Sequence, residues 1–217
     1  MQNISLQKFL RFCGVIFICV FAVTGCAKRE IKNIDSKGKN IICFGDSLTF
    51  GYGVSPGEDY PSELAKLTNI PVINKGIDGN TSTDGLKRLD KDVLDNDPLM
   101  VIVEFSGNDF MKKVPIETTE KNVNEMIDRI QAKGAMVVLA DISAGGLFLN
   151  EYHDLMRRIA YERGAIFVPR LLTKILTNPG MKSDFLHPNP RGYKIFAQRV
   201  YKVIQPYLVK NSLLRDK

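Results

Sequence analysis

Short, continuously apolar runs alternate along this chain with longer stretches whose apolar positions recur every three or four residues. The runs at residues 40–44, 72–74, 99–105, 135–142 and 165–168 are β-branched and short, the signature of strands buried on both faces of a parallel sheet. Between them, Val123, Met126, Ile127 and Ile130 fall at i, i+3, i+4 and i+7, which turns one stripe of a helix toward the sheet. Leu155, Met156, Ile159 and Ala160 repeat that spacing. Gly134 and Gly164 each stand between a helix and the next strand, where a residue of positive φ often closes the helix. Thr81-Ser82-Thr83-Asp84 fits a capping box. Asn189-Pro190 predicts an N-cap and first turn of a final helix reaching about Leu208.

Alternating strands and helices with short connections predict an α/β fold. The expected architecture is a three-layer α/β/α sandwich around a flavodoxin-like parallel sheet of about five strands, with right-handed crossovers. No repeat or second composition regime divides the region from residue 40 to residue 217, so it reads as one domain.

The first 25 residues follow another logic. Lys8 and Arg11 precede an apolar run at residues 12–23, followed by Thr24-Gly25-Cys26. A basic start, a short apolar centre and small residues at the exit predict a secretory signal at residues 1–25, too short for a comfortable permanent span. Val23-Thr24-Gly25-Cys26 resembles a bacterial lipobox, which implies lipid on Cys26 as the first mature residue. Residues 26–39 are polar and charged with little periodicity and read as a lipidated tether. The expected location is the cell envelope, on the far side of the membrane from the cytoplasm, held by that lipid.

Composition is ordinary for a globular chain of 217 residues, 44% hydrophobic and 25% charged. The net charge of +6 falls to +4 without the leader, which carries two basic residues and no acid. No basic cluster interleaves with aromatics, so nucleic acid is not an expected partner. Of four cysteines, Cys13 and Cys19 are expected to leave with the signal, and the lipobox resemblance implies that Cys26 is acylated. Cys43 alone cannot form an internal disulfide and reads as a small core residue.

In doubly wound sheets, ligands sit beyond the carboxyl ends of the strands, and three of those ends carry polar clusters. The first strand ends in Gly45-Asp46-Ser47-Leu48-Thr49. A phosphate loop needs a Lys after its last glycine, and none follows Gly51 or Gly53. Pro56 stands where a dinucleotide fingerprint needs its third glycine. The nucleophile elbow Gly-x-Ser-x-Gly is half met, which leaves Ser47 a candidate nucleophile or a capping serine. A serine nucleophile needs a base, and the chain has two histidines. His153, between Tyr152 and Asp154, reads as a solvated helix-surface residue. His187 follows Asp184 by three residues, a spacing that lets the carboxylate fix the imidazole tautomer. Gly79 after the second strand and Asn108 after the third are candidate oxyanion donors, although both are also common turn residues.

The order GDSLT, Gly79-Asn80, Gly107-Asn108-Asp109 and Asp184-x-x-His187-Pro188 resembles the SGNH (GDSL) hydrolases over about residues 40–208. The segments VINKGIDGNTS and VEFSGND look most like the branch of bacterial arylesterases, acyl thioesterases and lysophospholipases. The resemblance implies Ser47 as nucleophile, His187 as base and Asp184 as its orienting acid. It implies an oxyanion hole from the N–H groups of Ser47 and Gly79 and the Asn108 amide, with Asp46 and Asp109 outside the triad. The family's third block usually starts with glycine. Ser106 replaces it here, and its Cβ is expected to crowd the hole or to demand a different backbone angle.

The implied reaction is acyl transfer from a small ester or thioester to water through an acyl-enzyme, needing no cofactor or metal. Activity is expected to fall at acid pH as the base protonates, from an imidazole reference near pH 6.5. Leu48, Phe110, Met111, Leu147 and Phe148 are the expected acyl-pocket residues. Two other functions fit the same residues: a carbohydrate O-deacetylase of envelope glycans, and a lipid-anchored binding module without turnover.

Overall fold

The computed structural model describes residues 30–144 and 149–215. The expected signal, Cys26, Leu147 and Phe148 lie outside them. Five strands form one parallel sheet in the order β2-β1-β3-β4-β5. These are β1 (Asn40–Gly45), β2 (Val72–Gly76), β3 (Pro98–Glu104), β4 (Met136–Ala140) and β5 (Ile166–Val168). The helices are α1 (Ser47–Phe50), α2 (Tyr60–Thr68), α3 (Ser82–Asp92), α4 (Gly107–Met111), α5 (Ile116–Ala132), α6 (Asn150–Arg163) and α7 (Pro190–Arg215).

The α/β sandwich expected from the pattern is the observed one. Successive strand residues alternate between two cores, as the pleat requires. Ile41, Cys43, Met100 and Ile102 face Tyr60, Leu64, Phe196 and Val200 of α2 and α7. Ile42, Phe44, Val101 and Val103 face Leu89, Met126, Ile127 and Ile159 of α3, α5 and α6. Each such fully buried side chain contributes about 1.5–3 kcal/mol. Gly134 and Gly164 close α5 and α6 with φ of 88° and 63°. The Thr81 capping box is complete, with Asp84 answering it.

Three local expectations differ from the structure. The fourth strand leaves the ladder at Ala140, because its neighbour β5 is three residues long. α7 passes Leu208 to Arg215 with Pro206 inside it. Its last turns are held by Asn211, which donates to the carbonyls of Ile34 and Ser36 at 2.9 Å. That contact also changes the picture of residues 30–39, expected as part of a free tether. Ile31 and Ser36 are buried, Asn33 donates to the carbonyls of Gln131 and Ala135, and Lys32 N–H donates to Gly164 O. This segment wraps the amino-terminal end of the sheet through single amide side chains, which leave no periodic trace. Among the described residues, no helix is long and apolar enough to cross a membrane.

Candidate active site

The strand order reverses between β1 and β3, and the crevice there is where this topology binds ligands. β1 ends at Gly45, where an added Cβ would lie 2.2 Å from Thr49 Oγ1 and 2.7 Å from the Glu104 carboxyl. Only glycine leaves that space. Asp46 then caps α1, its Oδ1 accepting from Leu48 N–H at 3.0 Å, and Ser47 occupies the first helical position. Gly51 N–H returns to Ser47 O at 3.0 Å and closes the turn.

The histidine arrives from a loop with its own local order. Asp184 Oδ1 accepts from the backbone N–H groups of Leu186 and His187, each at 2.8 Å. The Lys182–Pro188 bridge closes the loop, and Ser183 Oγ ties it to Gly53 O at 2.9 Å. His187 Nδ1 lies 2.8 Å from Asp184 Oδ2, and its Nε2 lies 2.9 Å from Ser47 Oγ. The Tyr52 ring packs against the imidazole at 4.6 Å, and Tyr193 Oη donates to Tyr52 O at 3.2 Å. Burial works against the charge on Asp184. The hydrogen bonds from Leu186 N–H, the His187 ring and His187 N–H outweigh it and hold the carboxyl below its ordinary range. A hydroxyl, imidazole and carboxylate in this sequence can generate a nucleophile at neutral pH.

On the other side of Ser47, Asn108 is buried in α4 and donates through Nδ2 to Asp46 Oδ2 at 3.0 Å. Ser106, two residues before it, has a φ of −165°, outside the left-handed region that favours glycine, so its Cβ demands no glycine-like φ. Asp109 faces away from the cleft. It accepts from Ser82 N–H at 2.8 Å and Thr119 Oγ1 at 2.6 Å, binding α3 to α5. Burial pushes Asp46 up to about 6, against the bonds from Leu48 N–H and the Asn108 amide that favour its charge.

Gly79 adopts a φ of 74°, within the turn that follows β2. That turn is braced by Arg88, which sequence reasoning missed. Its guanidinium donates to Gly45 O and Lys75 O at 2.9 Å and to Asn80 Oδ1 at 2.8 Å, pairs with Asp92 and lies 4.3 Å over the Phe44 ring. Only its place on the inner face of α3 could have signalled this.

The cleft beside Ser47 is lined by Leu48, Met111, Ile142, Leu172, Leu186 and His187, among others. Of the expected pocket residues, Leu48 and Met111 are there. Phe110 instead meets Tyr152 edge-on at 6.3 Å. Ile142, Leu172 and Leu186 come from three separate loops and were invisible to motif reading. His153 corrects another expectation. Its side chain is 13% exposed and its Nδ1 lies 2.5 Å from buried Asp141. It shares the inner face of α6 with Tyr152 and Met156, while its charged neighbours Glu151 and Asp154 face solvent.

A parallel sheet with a serine turn at its switch point and an imidazole at hydrogen-bond distance is the framework of an ester hydrolase. Residues 43–195 match the GDSL-like Lipase/Acylhydrolase family, and the chain belongs to that family. It is 26% identical over 204 residues to an arylesterase of Vibrio mimicus, spanning 89% of this chain and 96% of that one. It is 26% identical over 179 residues to the thioesterase 1/protease 1/lysophospholipase L1 of Escherichia coli (strain K12), spanning 79% and 86%. Among solved structures it resembles the psychrotrophic esterase EstA from Pseudoalteromonas sp., inhibited by monoethylphosphonate. That likeness has a TM-score of 0.69 and 25% identity, over 79% of this chain and 99% of that one. A shorter stretch, 44% of this chain, is 30% identical to the uncharacterized lipoprotein YqeF of Bacillus subtilis (strain 168), covering 39% of that protein. The chain is a carboxylic ester hydrolase.

Proposed function

We propose that this hydrolase cleaves small acyl esters or thioesters in two steps through an acyl-enzyme on Ser47. The observation that carries the reading is the 2.9 Å separation of Ser47 Oγ from His187 Nε2, with Asp184 behind the imidazole at 2.8 Å. His187 takes the hydroxyl proton as Ser47 Oγ attacks the acyl carbonyl. The N–H groups of Ser47 and Gly79 and the amide of Asn108 stabilise the oxyanion. The alcohol or thiol leaves with the proton from His187, and water activated by the same imidazole then releases the acid.

An acyl portion suits the cleft, whose walls at Leu48, Met111, Ile142, Leu172 and Leu186 are apolar. Met111 is half exposed where it lines the cleft, which favours an apolar acyl group. The arylesterase and lysophospholipase among its relatives support the same substrate class.

Anchoring through lipid on Cys26 completes the reading, supported by the leader pattern and by the lipoprotein among the relatives. Residues 30–32 run past Gly164 at the amino-terminal end of β5, the end of the sheet opposite Ser47. An anchor at Cys26 would hold the domain by that end and turn the cleft away from its bilayer.

Ser47→Ala tests the reading. It should abolish p-nitrophenyl acetate hydrolysis and fluorophosphonate labelling while the circular dichroism spectrum stays native. Retained turnover would sink the assignment. A panel of esters and thioesters from C2 to C16, with acetylated sugars, then identifies the acyl group.

A further inference from the structure

Behind the Ser47 turn lies a second carboxyl group that the reaction itself does not use. Glu104, the last residue of β3, is fully buried. Its Oε2 accepts from Thr49 Oγ1 at 3.0 Å and from the backbone N–H of Asp46 at 3.4 Å. Its Oε1 is buried with no hydrogen-bond partner among the described residues. Gly45 exists as glycine in part because this carboxyl fills the space of its side chain. The group therefore touches both ends of the turn that presents Ser47.

We propose that Glu104 is a positioning residue of the esterase site: a neutral carboxylic acid that pins the Asp46 backbone while leaving the charge that holds the Asn108 amide on Asp46. The proposal rests on the esterase reading above and adds the device that keeps its oxyanion side in place. An ionised carboxylate with one oxygen buried and unpaired would carry a desolvation cost that a carboxylic acid largely avoids. A second negative charge would also repel Asp46, whose carboxylate orients the Asn108 amide at 3.0 Å. Burial first, and then the charge of Asp46, push Glu104 well above the ordinary carboxylate range.

Among the described residues, no cation pairs with Glu104. Tyr60 of α2 meets Thr49 at 3.2 Å, and burial raises both Tyr60 and the neighbouring Cys43 of β1. Tyr193 of α7 is raised chiefly by burial. His187 faces Asp46. Arg88 of α3 is committed to Gly45 O and Asp92.

The test compares Glu104→Gln with Glu104→Leu in p-nitrophenyl ester kinetics, with active sites counted by fluorophosphonate titration. Glutamine keeps a neutral acceptor and should hold kcat within about threefold of the parent. Leucine removes the acceptor and should lower kcat about tenfold to a hundredfold with KM unchanged. The parent should lose activity reversibly at alkaline pH as Glu104 ionises, and Glu104→Gln should lack that fall. The proposal is overturned by a leucine variant with parental kcat per active site, or by a glutamine variant as impaired as leucine. It is equally overturned by an alkaline profile that is the same in Glu104→Gln and the parent. Should the leucine variant fail to fold, the two pH profiles decide alone. Ser47→Ala separates the levels: turnover in that variant removes the esterase reading itself, whatever Glu104 does.

Discussion

Asn108 donates to Asp46 at 3.0 Å, joining the turn after β3 to the turn after β1 across the point where the strand order reverses. Asp46 also caps the helix that begins with Ser47, so one carboxylate orients groups on both sides of the cleft. If the Asn108 amide serves the oxyanion, Asn108→Ala should lower kcat by roughly 10²–10³ with little change in KM. Steady-state kinetics on p-nitrophenyl acetate measure this. A loss confined to KM would show that Asn108 binds substrate without serving the transition state.

Asp46 also predicts a pH dependence of stability. Burial lifts its folded carboxyl to about 6, against about 3.9 for an unfolded aspartate. The folded chain therefore holds a proton that the unfolded chain releases between those values. This contribution favours folding, is fully present below about pH 4, and is lost as pH rises through about 6. In urea unfolding, wild type should gain on Asp46→Asn as the pH is lowered from 7 to 5. A gap between the two that stays constant over that window would contradict the assignment.

Arg88 makes a third test, since it ties the ends of β1 and β2 to Asn80. Arg88→Met keeps much of the packing over Phe44 and removes the donors. It should cost about 1–3 kcal/mol of stability by removing the donors to Gly45 O, Lys75 O, Asn80 and Asp92. It should also lower kcat in the folded protein, because the turn carrying Gly79 loses its brace. Unchanged kcat in a destabilised variant would confine Arg88 to folding.

The two histidines should separate cleanly. His187→Ala removes the group at 2.9 Å from Ser47 Oγ and should reduce activity to near background. His153→Ala leaves Asp141 with its bonds from Ser143 and Arg170. It should cost about 1–3 kcal/mol of stability and keep kcat within about twofold. Equal losses of turnover would mean that His153 reaches the chemistry.

The fold was legible because it rests on periodicity. Ile41 through Phe44 and Val123 through Ile130 carry their patterns in adjacent positions, and burial of those patterns on both faces leaves one class of architecture. The residues drawn together at Ser47 were legible in part, because Asp184 and His187 are local neighbours and Ser47 lies in a recognisable turn.

Other features were decided only in three dimensions. His153 is spaced like a surface residue among charges, yet the rotation of α6 brings it onto Asp141. Arg88 and Glu104 have no motif around them, and their roles come from partners at the end of β1 that lie 43 and 58 residues away in the chain. Ile142, Leu172 and Leu186 meet in the cleft only because β4, β5 and the histidine loop end on the same side of the sheet. The sequence by itself determined the sheet, its helices and the chemical groups on offer, since local pattern and hydrophobic burial suffice for those. Tertiary structure alone decided which buried polar groups brace the site, because a buried polar group must find its partners wherever the fold brings them.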